Sequence, residues 1–183
     1  MKLLKSILLF LTIISCSTPI NEKANDFSAL IDLEGNAFNL DDLKGNILIL
    51  NIWATWCKPC IAEFESLEEV KDKFQDINVK IIAVSNEDLK LINSFLNKRK
   101  FDLDFIKLNG DLSYFNAYSL PTTIVFDKSG NEAFRLTGGV DFNTKNFIDR
   151  ILNIEKLYLF HTRSFMTNNS SRLHIFFHVI FII

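Results

Sequence analysis

Ile49-Leu50-Asn51-Ile52-Trp53-Ala54-Thr55-Trp56-Cys57-Lys58-Pro59-Cys60 is the stretch that decides the fold. Its first half belongs to the run ILILNI from Ile47 to Ile52, a nearly continuous apolar segment of the kind that forms a strand buried on both faces of a sheet. Beyond its second half, Cys60, Glu63, Leu67, Val70 and Phe74 recur at steps of three and four with Phe64 beside them, which predicts a helix starting at the cysteines. The two cysteines therefore sit at a strand-to-helix junction. Helix N-termini present unpaired N–H groups and the positive end of the dipole, and both stabilise a thiolate at Cys57. Cys60, one turn further on, lies on the same face and can close a disulfide. Lys58 adds positive charge, and Pro59 is tolerated because a first-turn N–H has no helical partner to lose.

Working outward, strand-like and helix-like segments alternate. Leu30 to Asp32 and Ala37 to Leu40 flank the turn Glu34-Gly35-Asn36 and read as a hairpin. Val79 to Val84 is a second buried strand and Asn86 to Lys100 a second helix, followed by an extended Asp104 to Leu108 and a short helix over Asp111 to Tyr118. Thr122 to Asp127 and Ala133 to Leu136 enclose the turn Asp127-Lys128-Ser129-Gly130-Asn131, which predicts an antiparallel hairpin. A last helix is expected from about Thr144 to Ile154. The order implies an α/β fold with a mixed central sheet flanked by helices and an N-terminal β-hairpin.

The ends differ from this middle. Lys2 and Lys5, an apolar run from Ile7 to Ile14 and Ser15-Cys16 make residues 1–15 a signal peptide, since the run is too short to span a bilayer. Ile13-Ile14-Ser15-Cys16 resembles a bacterial lipobox, which implies lipidation of Cys16 and a membrane anchor, with residues 16–25 as a linker. Residues 26–155 form the expected domain, and residues 156–183 an atypical apolar and basic tail that holds His161, His174 and His178 and no acidic residue. Of the 20 basic and 22 acidic residues, residues 16–155 hold 15 and 22, a net charge of −7, which removes the electrostatic case for a nucleic-acid partner. The three cysteines divide into Cys16 at the expected anchor and the Cys57/Cys60 pair.

The motif segment, taken with Phe38-Asn39-Leu40-Asp41-Asp42-Leu43-Lys44-Gly45 and Leu120-Pro121-Thr122-Thr123-Ile124-Val125-Phe126-Asp127, resembles the TlpA/ResA-like branch of thioredoxin-fold thiol-disulfide oxidoreductases over roughly residues 26–154. The resemblance implies a thioredoxin fold, a redox dithiol at Cys57 and Cys60, and a location in the cell envelope facing the periplasm or another extracytoplasmic space. It implies a cis Leu120–Pro121 bond that places Pro121 beside the disulfide, where the Leu120 backbone can pair with a substrate strand. It implies a functional carboxylate at Glu63, which the stripe 60-63-67-70-74 turns inward; burial there should raise its pKa and suit it to take a proton from Cys60. Asn51 stands where cytosolic thioredoxins resemble one another in having a buried Asp. Glu65 replaces the proline usual after the Glu-Phe pair. Trp53 and Trp56 are expected to cover the dithiol or to fill the core, with Trp56 counted among the substrate-binding residues.

The implied partners are protein thiols and disulfides, with apocytochrome c or its assembly factors among the substrates, and a membrane electron donor; no cofactor beyond the disulfide is implied. Other uses of the same residues remain. A DsbA-like oxidase would run the dithiol in the opposite direction. Thr55 and Cys57 superficially resemble a peroxidatic site, although the WCxxC arrangement argues against it. A zinc or copper site needs a third ligand, and residues 26–155 offer no further cysteine and no histidine.

Overall fold

A computed structural model describes residues 29–180, with side chains through Thr162. The expected signal peptide, the lipidation of Cys16 and the linker to residue 25 lie outside the described residues. Six strands form one mixed sheet in the order β1-β4-β3-β2-β5-β6: β1 is Leu30–Ile31, β2 Ile47–Ile52, β3 Val79–Ser85, β4 Asp104–Leu108, β5 Thr122–Phe126 and β6 Glu132–Thr137. Strand β2 runs parallel to β3 and antiparallel to β5, so the strand that delivers the cysteines is central and paired on both edges.

Every residue of β2 is buried, and side-chain alternation divides them between two cores. Ile47, Ile49 and Trp53 join Phe64, Leu67 and Val70 of helix α1 (Lys58–Lys73), Ile92 of α2 (Leu89–Leu96) and Phe147 and Ile151 of α3 (Lys145–Ile180). Leu48, Leu50 and Ile52 face the other way, onto Leu30, Leu40, Phe115 and Ala117. By the same parity Asn51 points into the α1 side, a polar residue among apolar ones.

The structure departs from the sequence reading at four places. The N-terminal hairpin shrinks to one bridge, Ile31 to Ala37; β1 pairs instead with β4, Leu30 opposite Leu108, and the second arm becomes a 3₁₀ turn over Leu40–Leu43 capped by the Asn39 side chain. Helix α2 begins three residues late, where Asn86 and Glu87 spend their side chains on other segments, Asn86 on the Gly110 carbonyl and Glu87 on Thr55, and it ends at Leu96, four residues short of Lys100. The helix expected over Asp111 to Tyr118 is a 3₁₀ turn, Leu112–Phe115, closed by Asn116 in the left-handed region at φ 50°. Helix α3 does not stop near Ile154 but continues to Ile180; residues 145–180 contain no Gly or Pro to end it. No helix among the described residues is long and apolar enough to cross a membrane.

Candidate active site

Strand β2 stops at Ile52, one further backbone bond from Trp53 N–H to the Val84 carbonyl (2.9 Å) extends the pairing, and a turn then closes with Cys57 N–H donating to the Ala54 carbonyl at 3.0 Å. Thr55 and Trp56 are the central residues of that turn. Cys57 is the N-cap of α1, and its sulfur accepts from the Cys60 N–H at 3.3 Å, so the helix start spends one of its unpaired donors on this sulfur. Cys57 and Cys60 form a disulfide with Cα atoms 5.3 Å apart. Cys57 keeps 3% of its surface exposed and Cys60 none, which makes Cys57 the sulfur an incoming partner can reach.

The Leu120–Pro121 bond is cis, Pro121 is buried at the start of β5, and its carbonyl accepts from Gly138 N–H at 2.9 Å. Gly138 has φ +88°, a conformation glycine adopts without the strain of a Cβ, and a Cβ placed on Gly139 beyond it would come within ordinary contact of Pro59. Trp56 (71% exposed) and Tyr118 stand in solvent on the turns that carry Cys57 and the cis-proline. Trp53, for which cover and core were both open, is core: fully buried, with ring centroids 5.2 Å from Phe64 and 5.4 Å from Phe95 and Phe105.

Behind the disulfide lies a buried polar group. Glu63 is 4% exposed on the inner face of α1. Asn51 Nδ2 donates to its Oε1 at 2.6 Å and to Thr123 Oγ1 at 2.9 Å, and the Val140 N–H donates to its Oε2 at 3.1 Å. Loss of solvation pushes the Glu63 carboxyl up to about 7, against the opposing pull of the two hydrogen bonds. A cleft lined by Pro59, Glu63, Ser66, Glu69, Val140 and Asp141 opens beside it.

One residue at the site carried no sequence signal. Glu87, just after β3, accepts from Thr55 N–H at 2.6 Å through Oε2 and from Thr55 Oγ1 at 2.9 Å through Oε1, pinning the turn that holds Trp56 and Cys57. The Thr55 hydroxyl thus serves Glu87 and not the Cys57 sulfur, unlike the peroxidatic arrangement. Among the described residues no cluster of His, Cys, Asp or Glu is suited to hold a metal ion, and His161 meets the Leu157 carbonyl and the Phe160 ring of its own helix.

A redox dithiol at a helix N-terminus, on a thioredoxin-type sheet that also carries a cis-proline, defines a thiol-disulfide oxidoreductase. The AhpC/TSA family profile matches residues 20–141, and the chain belongs to that family. Within it the relatives are thiol-disulfide oxidoreductases. The chain is 33% identical over 124 residues to thiol-disulfide oxidoreductase ResA of Bacillus cereus, covering 65% of this chain and 70% of that one. It is 36% identical over 138 residues to ResA of Geobacillus kaustophilus, covering 73% and 76%. Among solved structures, StoA from Bacillus subtilis superposes with a TM-score of 0.54 at 19% identity, over 67% of this chain and 96% of that one, a likeness of fold.

Proposed function

We propose that the protein is an extracytoplasmic, lipid-anchored reductase of protein disulfides, with apocytochrome c or its assembly factors among its substrates. The observation that carries the reductive direction is the buried carboxylate of Glu63, without a cationic partner, on the inner face of α1 three residues beyond the resolving cysteine. In the reduced protein the Cys57 thiolate attacks one sulfur of a substrate disulfide, and the other substrate sulfur leaves as a thiolate. Cys60 gives its proton to Glu63 and attacks Cys57 in the mixed disulfide, releasing the second substrate sulfur. Two electrons have then passed to the substrate and the protein is left as the Cys57–Cys60 disulfide. A membrane thiol donor must return it to the dithiol. The exposed Trp56 and the backbone of Leu120, ahead of the buried Pro121, line the approach to Cys57 and are suited to hold an extended substrate segment. The anchor rests on Cys16 and the leader before it, and the envelope location on that leader together with the ResA relatives.

The direction is tested by the reduction potential of the Cys57/Cys60 couple, equilibrated against glutathione. A value near the thioredoxin level, about −270 mV, is expected; one near the DsbA level, about −120 mV, makes the protein an oxidase. Cys60→Ser, expressed with its leader intact, should accumulate a mixed disulfide whose partner names the substrate. Recovery of partners without a Cys-x-x-Cys pair would remove the cytochrome assignment.

A further inference from the structure

Asn51 shares a side-chain layer with Ile47, Ile49 and Trp53 and is fully buried, yet its amide is only half used. Nδ2 makes two bonds, to Glu63 and to Thr123 of the neighbouring strand, while Oδ1 has no partner. A buried acceptor left unpaired costs free energy, so its persistence calls for a reason. The reason lies in what Glu63 must do. As drawn, both carboxyl oxygens accept from N–H donors, an arrangement that serves the ionised form. Once Glu63 takes a proton, its new O–H points at a donor and needs an acceptor instead.

We propose that Asn51 is the positioning residue for Glu63, and that its amide inverts about the Cβ–Cγ axis when Glu63 is protonated. Inversion brings Oδ1 to the place Nδ2 now holds. There it accepts from the Glu63 carboxyl, and from the Thr123 hydroxyl, which rotates from acceptor to donor. Nδ2 then takes the position where Oδ1 is now unpaired. In either orientation one end of the amide makes two bonds and the other none, so the two arrangements are closely balanced and the buried carboxyl is satisfied in both charge states. An aspartate at this position could offer a hydrogen to Glu63 only after taking a proton itself, whereas an amide supplies donor and acceptor with no change of charge. The surroundings do not confuse the titration: β2 and β5 carry no ionisable side chain, and the groups near Glu63 are Cys60, Glu65 and Glu69 on its own helix and Asp141 on the loop that brings Val140.

This inference rests on Glu63 as the proton acceptor of Cys60, but its test reads the carboxyl directly. The Glu63 side-chain carbon is titrated by NMR in the full chain, oxidised, beside Asn51→Leu, Thr123→Val and Glu63→Gln. Asn51→Leu removes the stronger donor to the charged form and should move the Glu63 midpoint upward by about one pH unit. Thr123→Val leaves Asn51 unanchored and should move it the same way by less; it carries the test if Asn51→Leu does not fold. The Asn51 side-chain amide resonance should titrate with the Glu63 midpoint and lose that step in Glu63→Gln. A Glu63 midpoint unmoved in folded Asn51→Leu and in Thr123→Val overturns the positioning role, and an Asn51 amide that stays constant while Glu63 titrates overturns the inversion. If Glu63→Gln leaves turnover unchanged while these shifts occur, the catalytic reading of Glu63 fails and the coupling to Asn51 stands.

Discussion

Glu63 is buried and Glu155 half-buried in this domain, and the environments of these two carboxylates are opposites. Glu155 on α3 faces Lys128 of the β5–β6 turn, with Lys128 Nζ at 2.6 and 2.8 Å from its two oxygens and the Tyr158 ring 5.2 Å from the same ammonium. The two side chains are 6% and 12% exposed. Glu63, more deeply enclosed, meets no cation, only the Asn51 amide and the Val140 N–H. A counter-charge fixes a buried group in one state, whereas neutral dipoles leave it close to the point where it exchanges a proton. The first arrangement ties the last helix to a turn; the second is suited to chemistry.

Breaking the ion pair should give the largest effect. Lys128→Met leaves Glu155 enclosed without its cation and should cost about 4 kcal/mol of unfolding free energy, while Lys128→Met with Glu155→Gln should recover more than half of it. Denaturant titrations of both, with turnover expected to stay at the parent level, check this; a single variant within about 0.5 kcal/mol of the parent would erase the contrast.

Glu63 should show the complementary behaviour. Its folded-state pKa of about 7 lies above the ordinary glutamate value of 4.5, so the stability it contributes is complete below pH 4.5 and is lost as pH rises through 7. The loss amounts to about 3 kcal/mol, and Glu63→Gln should flatten that part of the stability profile. A parent and a variant whose profiles run parallel from pH 4.5 to 8 would place the Glu63 charge in solvent. In turnover the sign reverses, because only ionised Glu63 can take the Cys60 proton: the rate should climb through pH 7, and Glu63→Gln should lose that climb and run about tenfold to a hundredfold slower above it. An unchanged pH-rate profile would remove Glu63 from the mechanism.

Both sides of this contrast bear on what a sequence discloses. The apolar run Ile47 to Ile52 and the stripe 60-63-67-70-74 encode the central strand, the helix and the inward placement of Glu63, because period and burial are local consequences of residue order. Asn51 falls on the α1 side by the same alternation. The pairing of Leu30 with Leu108 was not legible, since the turn at Glu34-Gly35-Asn36 signals a local hairpin while the strand partner lies far along the chain. Nor were the Val140 N–H, the Lys128–Glu155 pair and the Glu87 carboxylate, each of which reaches its partner only after distant segments close on one another. Lys128 and Glu87 in particular read as ordinary charged residues beside a turn and a strand end.

Glu87 gives the smallest effect and the sharpest division between positioning and chemistry. Unlike Glu63 it lies outside the helix that carries the cysteines; it grips Thr55 by both N–H and Oγ1, and through Thr55 the turn whose other central residue is the exposed Trp56. Gln at position 87 keeps an acceptor for the Thr55 N–H and can donate to Thr55 Oγ1, whose hydroxyl turns from donor to acceptor, but both bonds lose the carboxylate charge, so the grip weakens and the turn gains freedom. A small dithiol needs only the Cys57 sulfur, whereas a protein disulfide must also find Trp56 in place. Glu87→Gln should therefore raise KM for insulin disulfides about threefold to tenfold, roughly the worth of one ordinary hydrogen bond. Its kcat and its exchange with dithiothreitol should stay at the parent values. If both substrates slow together, Glu87 acts on the cysteines as Glu63 does; if neither changes and only the melting temperature falls, the grip on Thr55 is structural, as the grip of Lys128 on Glu155 is.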